Sequence, residues 1–97
     1  MKIEITTMKR VKETIDVEFP DYYKHDLMSD YGENVIYGKI TEEYAFTIQE
    51  IENYDGKVAF ELEKDTWDGS YFKEEYKSTK EEYEDAKRRA VEFFNCL

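Results

Sequence analysis

The carboxylates of residues 42–68 are the side chains of this sequence whose type and spacing could do chemistry. The segment holds nine acidic and two basic residues, so its net charge of −7 makes up most of the −10 of the 97-residue chain. Clustered carboxylates can bind a hard cation, catalyse hydrolysis as a pair, or attract a basic partner. The acids are Glu42, Glu43, Glu50, Glu52, Asp55, Glu61, Glu63, Asp65 and Asp68.

Two short acidic turns are the candidates for a cation site. Residues 53–56 and 65–69 each end in a glycine, Gly56 and Gly69, after acidic or amide side chains. Neither continues with the alternating oxygen ligands and the later glutamate of a calcium-binding loop. Because turn formation explains both glycines without a metal, we predict no metal site and no cofactor.

The pairs Asp16/Glu18 and Glu61/Glu63 are the candidates for glycosidase-like catalysis by two carboxylates. Residues two apart on a strand share a face at about 6.7 Å, which falls in the range of paired catalytic carboxylates. Any such strand pair has this spacing, however, and a small domain with few loops offers little cleft. His25 and Cys96 are the only residues of their types, which is too few for a typical zinc site. We therefore predict no catalytic residues and a protein that is not an enzyme.

Recognition is the remaining interpretation of the acidic segment. A concentrated negative field attracts basic proteins and repels nucleic acid and anionic membranes. Tyr54 and Trp67 lie inside the segment, and such aromatic side chains dominate the energetics of protein interfaces. We predict that the nine acids, Tyr54 and Trp67 form a partner-binding surface. A solvated acidic face that only keeps the protein soluble explains the charge equally well.

Alternating apolar residues predict the strands that position these acids. Residues 2–7 and 11–19 fit an N-terminal hairpin, and residues 35–41 fit a further strand. The clearest pattern is a hairpin over residues 43–63, which turns at the Asp55-Gly56 dipeptide. Its inner face is predicted to hold Tyr44, Phe46, Ile48, Val58, Phe60 and Leu62.

Two helical segments are predicted. Pro20 is favourable at the first position of a helix, so residues 20–29 are predicted to form one or two helical turns. From Ser78 the apolar period becomes that of a helix, with Ser78 or Thr79 as the capping residue. The apolar face of this C-terminal helix consists of Tyr83, Ala86, Ala90, Phe93, Phe94 and Leu97.

These elements predict a single α+β domain over residues 1–97. Its antiparallel sheet has about five strands, with the C-terminal helix packed on one face and the order β-β-(short α)-β-β-β-α. The single cysteine excludes an internal disulfide and favours a reducing compartment. The first residues lack the apolar run of a signal peptide, and no apolar run approaches the roughly 20 residues of a membrane span. We therefore predict a cytoplasmic protein.

In length, acidity and hairpin-plus-helix layout, the chain resembles the small acidic proteins that bacteriophages encode to inhibit host defence, including anti-CRISPR proteins. The acidic hairpin over residues 44–63 and the helix that begins Ser78-Thr-Lys-Glu-Glu carry the likeness. It implies stoichiometric binding to a nuclease or its guide complex, often at a groove that contacts DNA. No functional residue is carried over, because these proteins share no common motif.

The sequence and this resemblance together predict a non-enzymatic inhibitor. We expect it to dock its acidic hairpin region into a basic, nucleic-acid-binding cleft of a partner protein, as a mimic of the phosphate array of DNA. The alternative is a structural or assembly protein that forms homo-oligomers through a sheet edge or through the C-terminal helix. Neither function calls for direct contact with nucleic acid or a membrane.

Overall fold

The protein is represented by a computed structural model that describes residues 1–6, 12–29, 32–67 and 74–96. Its six strands are β1 (Lys2–Thr6), β2 (Lys12–Asp16), β3 (Asp21–Ser29), β4 (Gly32–Ile40), β5 (Ala45–Asn53) and β6 (Val58–Asp65). A short 3-10 helix spans Glu74–Tyr76, and the helix α1 spans Lys80–Asn95.

Strands β3 to β6 form one antiparallel sheet in the order β3-β4-β5-β6, and β1 pairs with β2 in a separate hairpin. The register aligns Asp21, Ile40, Ala45 and Asp65 in one row across the four strands. Side chains in one row point to the same face of a sheet, so the register assigns every residue to a face. The predicted α+β class, with a helix packed on an antiparallel sheet, is confirmed.

The larger apolar cluster lies between α1 and the sheet. Ala86 and Ala90 are buried against the strands, and their small side chains let the helix approach closely. The rings of Phe60 and Phe93 lie 5.5 Å apart and join β6 to the end of α1. The cluster consists of Tyr22, Tyr37, Ile48, Phe60, Tyr83, Ala86 and Ala90, with Val35 and Phe93 packed against it.

A second apolar cluster covers one end of the opposite face of the sheet. There the β1–β2 hairpin packs Ile3 and the adjoining Val17 against the sheet residues Tyr23, Ile40 and Ala45. Phe19, Trp67 and Tyr76 pack around this cluster. The sheet is therefore apolar on both faces at this end, whereas the sequence predicted packing, by the C-terminal helix, on one face.

The helical turns predicted over residues 20–29 are wrong, because residues Asp21–Ser29 form strand β3. Tyr22 and Tyr23 point to opposite faces and are buried in different clusters. Burial on both faces removes the alternation that marks a half-buried strand, and pairing with β4 along the whole of β3 supplies the stabilisation. Pro20 precedes an edge strand, where proline is tolerated.

The predicted hairpin over residues 43–63 is confirmed as β5 and β6. Its inner face differs in part: Ile48 and Phe60 are buried, but Val58 and Leu62 are 39% and 58% exposed. They are exposed because β6 is an edge strand of the sheet and α1 meets it at Phe60. Tyr44 precedes β5 and is also exposed.

The predicted C-terminal helix is confirmed as α1, with Thr79 as its N-cap. The Thr79 hydroxyl oxygen accepts a hydrogen bond from the backbone N–H of Glu82 at 3.2 Å. The Ser78 hydroxyl donates to the Glu82 carboxylate at 2.6 Å, which completes the cap. Of the predicted apolar face, Phe94 is exposed and Leu97 lies outside the described residues.

Gly32 holds the start of β4 close against β5, and its replacement tests this contact. Its φ is +134°, and a Cβ at this position would lie 2.1 Å from the carbonyl oxygen of Glu52. We expect Gly32→Ala to lower the free energy of unfolding by more than about 2 kcal/mol, measured by urea denaturation. Gly56→Ala is the control, because a Cβ there meets no atom within 4 Å and should cost about 1 kcal/mol. Equal losses in the two variants would contradict the close approach.

Because Tyr83 is buried, the free energy of unfolding should depend on pH in the alkaline range. Desolvation and the neighbouring charge of Glu84 raise the pKa of the Tyr83 phenol above its usual value. Above about pH 10 the unfolded chain therefore releases the Tyr83 proton, while the folded protein still keeps it. The contribution of Tyr83 to the free energy of unfolding is thus lost as the pH rises further. We expect the free-energy difference between wild type and Tyr83→Phe to shrink or reverse from about pH 8 to about pH 11. A constant difference would contradict this assignment.

Candidate functional site

Three predicted site residues lie on the same face of the edge strand β6. Glu61, Glu63 and Asp65 alternate with residues that face α1, so their carboxylates lie on the opposite face of the sheet. Successive carboxylates are about 6.7 Å apart along the strand. We call Glu61, Glu63 and Asp65 the acidic edge.

The acidic edge is exposed and carries uncompensated charge. Within the described part of the chain, none of its carboxylates forms an ion pair. Lys64 lies between them in sequence but points to the other face, where its ammonium stands 4.2 Å from the centre of the Tyr44 ring. The edge therefore presents three negative charges that no described side chain neutralises.

Glu42 and Glu43 extend this charge at one end. They lie in the turn over residues 41–44, which joins β4 to β5 and is closed by the Thr41 hydroxyl. The turn ends beside Ala45, the residue that pairs with Asp65. Both glutamates are exposed, so they adjoin the Asp65 end of the acidic edge.

Glu50 and Glu52 lie on the opposite face of the sheet from the acidic edge. Glu50 is ion-paired with Arg89 of α1, and the two side chains are 21% and 31% exposed. The same guanidinium donates to the hydroxyl of Tyr37 at 3.3 Å. Glu50 is thus a structural residue whose charge is neutralised, while Glu52 is exposed near the tip of the hairpin.

Tyr54 and Asp55 form the tip of the β5–β6 hairpin, at the far end from Glu42 and Glu43. The Asp55 carboxylate accepts from the backbone N–H of Lys57 at 3.1 Å and lies 3.9 Å from its ammonium. The Asp55 carboxylate therefore stabilises the turn, and Lys57 partly neutralises its charge. Tyr54 is exposed.

Trp67 is a packing residue. Its indole N–H donates to the carbonyl oxygen of Thr41 at 2.9 Å, and its ring lies 5.8 Å from that of Phe19. The side chain fixes the chain after β6 to the second apolar cluster. Asp68 lies outside the described residues. The other ten predicted site residues do not share one face of the sheet, because Glu50 and Glu52 lie on the α1 face.

The structure also brings together acids that the sequence analysis missed. Asp26 of β3 and Glu33 of β4 join Glu50 and Glu52 around a cavity of about 240 Å³ on the sheet face that α1 packs against. The register causes this convergence, because Asp26 and Glu50 both flank Val35. Recognising residues 21–29 as a strand would have revealed it. Lys24, Val35 and Tyr37 complete the lining.

The two arginines of α1 do not pair with the acidic edge. Arg88 donates to Asp85 and Glu92, both at 2.9 Å, and these hydrogen bonds raise the pKa of its guanidinium. Arg89 binds Asp85 in addition to Glu50. Both arginines are therefore held on the helix side of the sheet by acids of that side.

No metal-ligand group or nucleophilic pair is present in residues 1–6, 12–29, 32–67 and 74–96. No three His, Cys, Asp or Glu side chains of this part converge as metal ligands. His25 lies on the face opposite α1 with its ring 4.3 Å from that of Tyr76, whereas Cys96 caps the end of α1. No described helix has the length and apolar character needed to cross a membrane.

Comparison with known proteins gives no match: no family model, no curated protein and no solved structure is similar enough to indicate a relative. The chemistry of the exposed side chains is therefore the basis for assigning a function.

Removing the ion pair between Glu50 and Arg89 tests its structural role. We expect Glu50→Gln and Arg89→Met each to lower the free energy of unfolding by about 1–2 kcal/mol, because each leaves a partly buried polar group without its charged partner. The double variant should lose less than the sum, as a double-mutant cycle by urea denaturation would show. Glu52→Gln is the control and should change stability by less than about 0.5 kcal/mol. Strictly additive losses would contradict the pairing.

Proposed function

We propose that the protein is a non-enzymatic binding protein that docks its acidic edge onto a basic surface of a partner protein. The supporting observation is the row of Glu61, Glu63 and Asp65, which is exposed and has no ion-pair partner among the described residues. Glu42 and Glu43 extend the row at the Asp65 end. Opposite potentials on two partners speed their association and make binding sensitive to salt.

The spacing of the acidic edge favours a partner that normally holds nucleic acid. Carboxylates about 6.7 Å apart along β6 repeat at about twice the 3.4 Å rise between phosphates of one DNA strand. A surface whose lysines and arginines are arranged for phosphates is therefore suited to this edge. Inhibition of a nucleic-acid-binding protein or nuclease, as by proteins of the anti-CRISPR type, is the form of the function that we propose.

Assembly of identical copies is the second candidate, and it draws on a different surface. Leu62 is exposed on β6, and Val91 and Phe94 are 49% and 40% exposed on α1. These side chains could bury one another in a homo-oligomer, whereas the acidic edge would take no part. The two candidates therefore respond to different substitutions.

Reversing the charge of the acidic edge tests the proposed function. We expect the variant E61K/E63K/D65K to lose the partner that the wild-type protein captures from a nuclease-treated cell extract. Capture by the wild type should fall steeply from about 50 mM to about 500 mM salt, because the interaction is electrostatic. Added double-stranded DNA should displace the partner, which mass spectrometry would identify as a basic, nucleic-acid-binding protein.

The matched control is E18K/E75K/E84K, which makes the same change of charge at three exposed acids away from β6. It should retain the partner. Recovery of the same proteins with both triple variants would overturn the proposal, as would a partner that DNA does not displace. A dimer seen by light scattering, split by Phe94→Asp and unaffected by E61K/E63K/D65K, would favour the assembly function instead.

A further inference from the structure

The two edges of the four-stranded sheet differ in whether another described segment pairs with them. Near the start of β3, Tyr23 forms an isolated antiparallel bridge with Lys77, and the backbone N–H of Ser78 donates to the carbonyl oxygen of Tyr22 at 2.9 Å. The chain thus pairs part of the β3 edge itself. On β6, every strand pairing among the described residues is with β5. Within residues 1–6, 12–29, 32–67 and 74–96, the outer edge of β6 is therefore open to a further strand.

The two faces of β6 specify what such a strand would carry. On one face stand Glu61, Glu63 and Asp65, two residues apart. On the other face Leu62 and Val58 are exposed, and a chain of rings continues from Phe60 through Phe93 to the exposed Phe94 at 5.5 and 5.3 Å. One side of β6 is thus acidic, and the other carries these apolar side chains together with Lys64.

A second copy of this chain does not fit the open edge. In a symmetric antiparallel pair of two β6 strands, equal faces lie on the same side, so Glu61 would lie opposite Glu61, Glu63 or Asp65 of the second copy. Like charges directly opposite each other destabilise a strand pair. The charge complementarity of this edge therefore points to a different segment, one that is basic where β6 is acidic.

We propose that the partner docks an extended segment as a fifth strand on β6, with Lys or Arg at alternate positions and apolar residues between them. This inference rests on the proposed function and specifies how its partner is held. The basic side chains lie opposite the acidic edge, and the apolar ones lie over Leu62 and the Phe94 end of α1. Backbone hydrogen bonds to the outer edge of β6 supply affinity, as in other cases of strand addition.

A synthetic peptide of sequence Thr-Lys-Val-Lys-Val-Lys-Thr, acetylated, amidated and fluorescently labelled, provides the probe. We expect it to bind the wild-type protein at least about tenfold more tightly than Thr-Val-Lys-Lys-Lys-Val-Thr, which has the same composition without the alternation. E61K/E63K/D65K should abolish binding of the alternating peptide, whereas E18K/E75K/E84K should retain it. Fluorescence anisotropy measures each affinity.

Backbone methylation separates strand pairing from charge attraction. Alternate amides of a strand point to the same side, so one peptide is N-methylated at its lysines and another at its valines and second threonine. We expect one methylated peptide to lose at least about tenfold in affinity and the other to bind as the parent does. NMR should show slowed amide exchange in β6 on binding of the parent peptide.

Equal affinity of the two methylated peptides, or no protection of β6 amides, would overturn strand addition. The alternating and contiguous peptides binding equally well would do the same. These outcomes differ from failure of the proposed function, because a captured protein could still depend on the acidic edge through side-chain contacts alone. The methylated peptides act on the wild-type protein, so folding of a variant does not affect their result.

Discussion

The unbroken register of the ladder from β3 to β6 is the constraint on which the rest of the structure depends. It sends neighbouring residues of each strand to opposite faces, so Phe60 and Leu62 face α1 while Glu61 and Glu63 face away. A slip of one residue would exchange these sets and place carboxylates against the helix. Gly32 helps to fix the register, because its close approach to the carbonyl of Glu52 admits no side chain. Position on a face, and not position in the chain, therefore decides what each acid does.

The same register separates the carboxylates that form ion pairs within the fold from those that do not. On the helix side, Glu50 is neutralised by Arg89, and Asp85 and Glu92 hold Arg88. On the far side, the carboxylates of β6 have no such neighbour among the described residues. Their mutual repulsion opposes pairing of the outer edge of β6 with the β6 strand of a second copy. In the strand addition that we propose, the same repulsion raises the gain from a basic segment, so both effects would have one physical origin.

Local patterns predicted the elements better than they predicted the site. The alternation of β5 and β6 and the helical period of α1 depend on residues close in sequence, and all three elements were found where expected. Strand β3 was missed because Tyr22 and Tyr23 are buried on opposite faces, which hides a period of two. The pairing of Glu50 with Arg89 joins residues 39 apart and depends on how α1 crosses the sheet. Trp67 likewise acts through Thr41, a contact that no local pattern contains.

The separate N-terminal hairpin has a consequence for how the molecule comes apart. Among the described strands, β1 and β2 pair only with each other, and they meet the main sheet through the cluster around Ile3 and Val17. Such a unit can detach at a lower free energy than global unfolding requires. Detachment would leave the four-stranded ladder intact while uncovering Tyr23, Ile40 and Ala45. We therefore expect aggregation under mildly denaturing conditions to begin from the form in which this hairpin is detached and the four-stranded sheet is still intact.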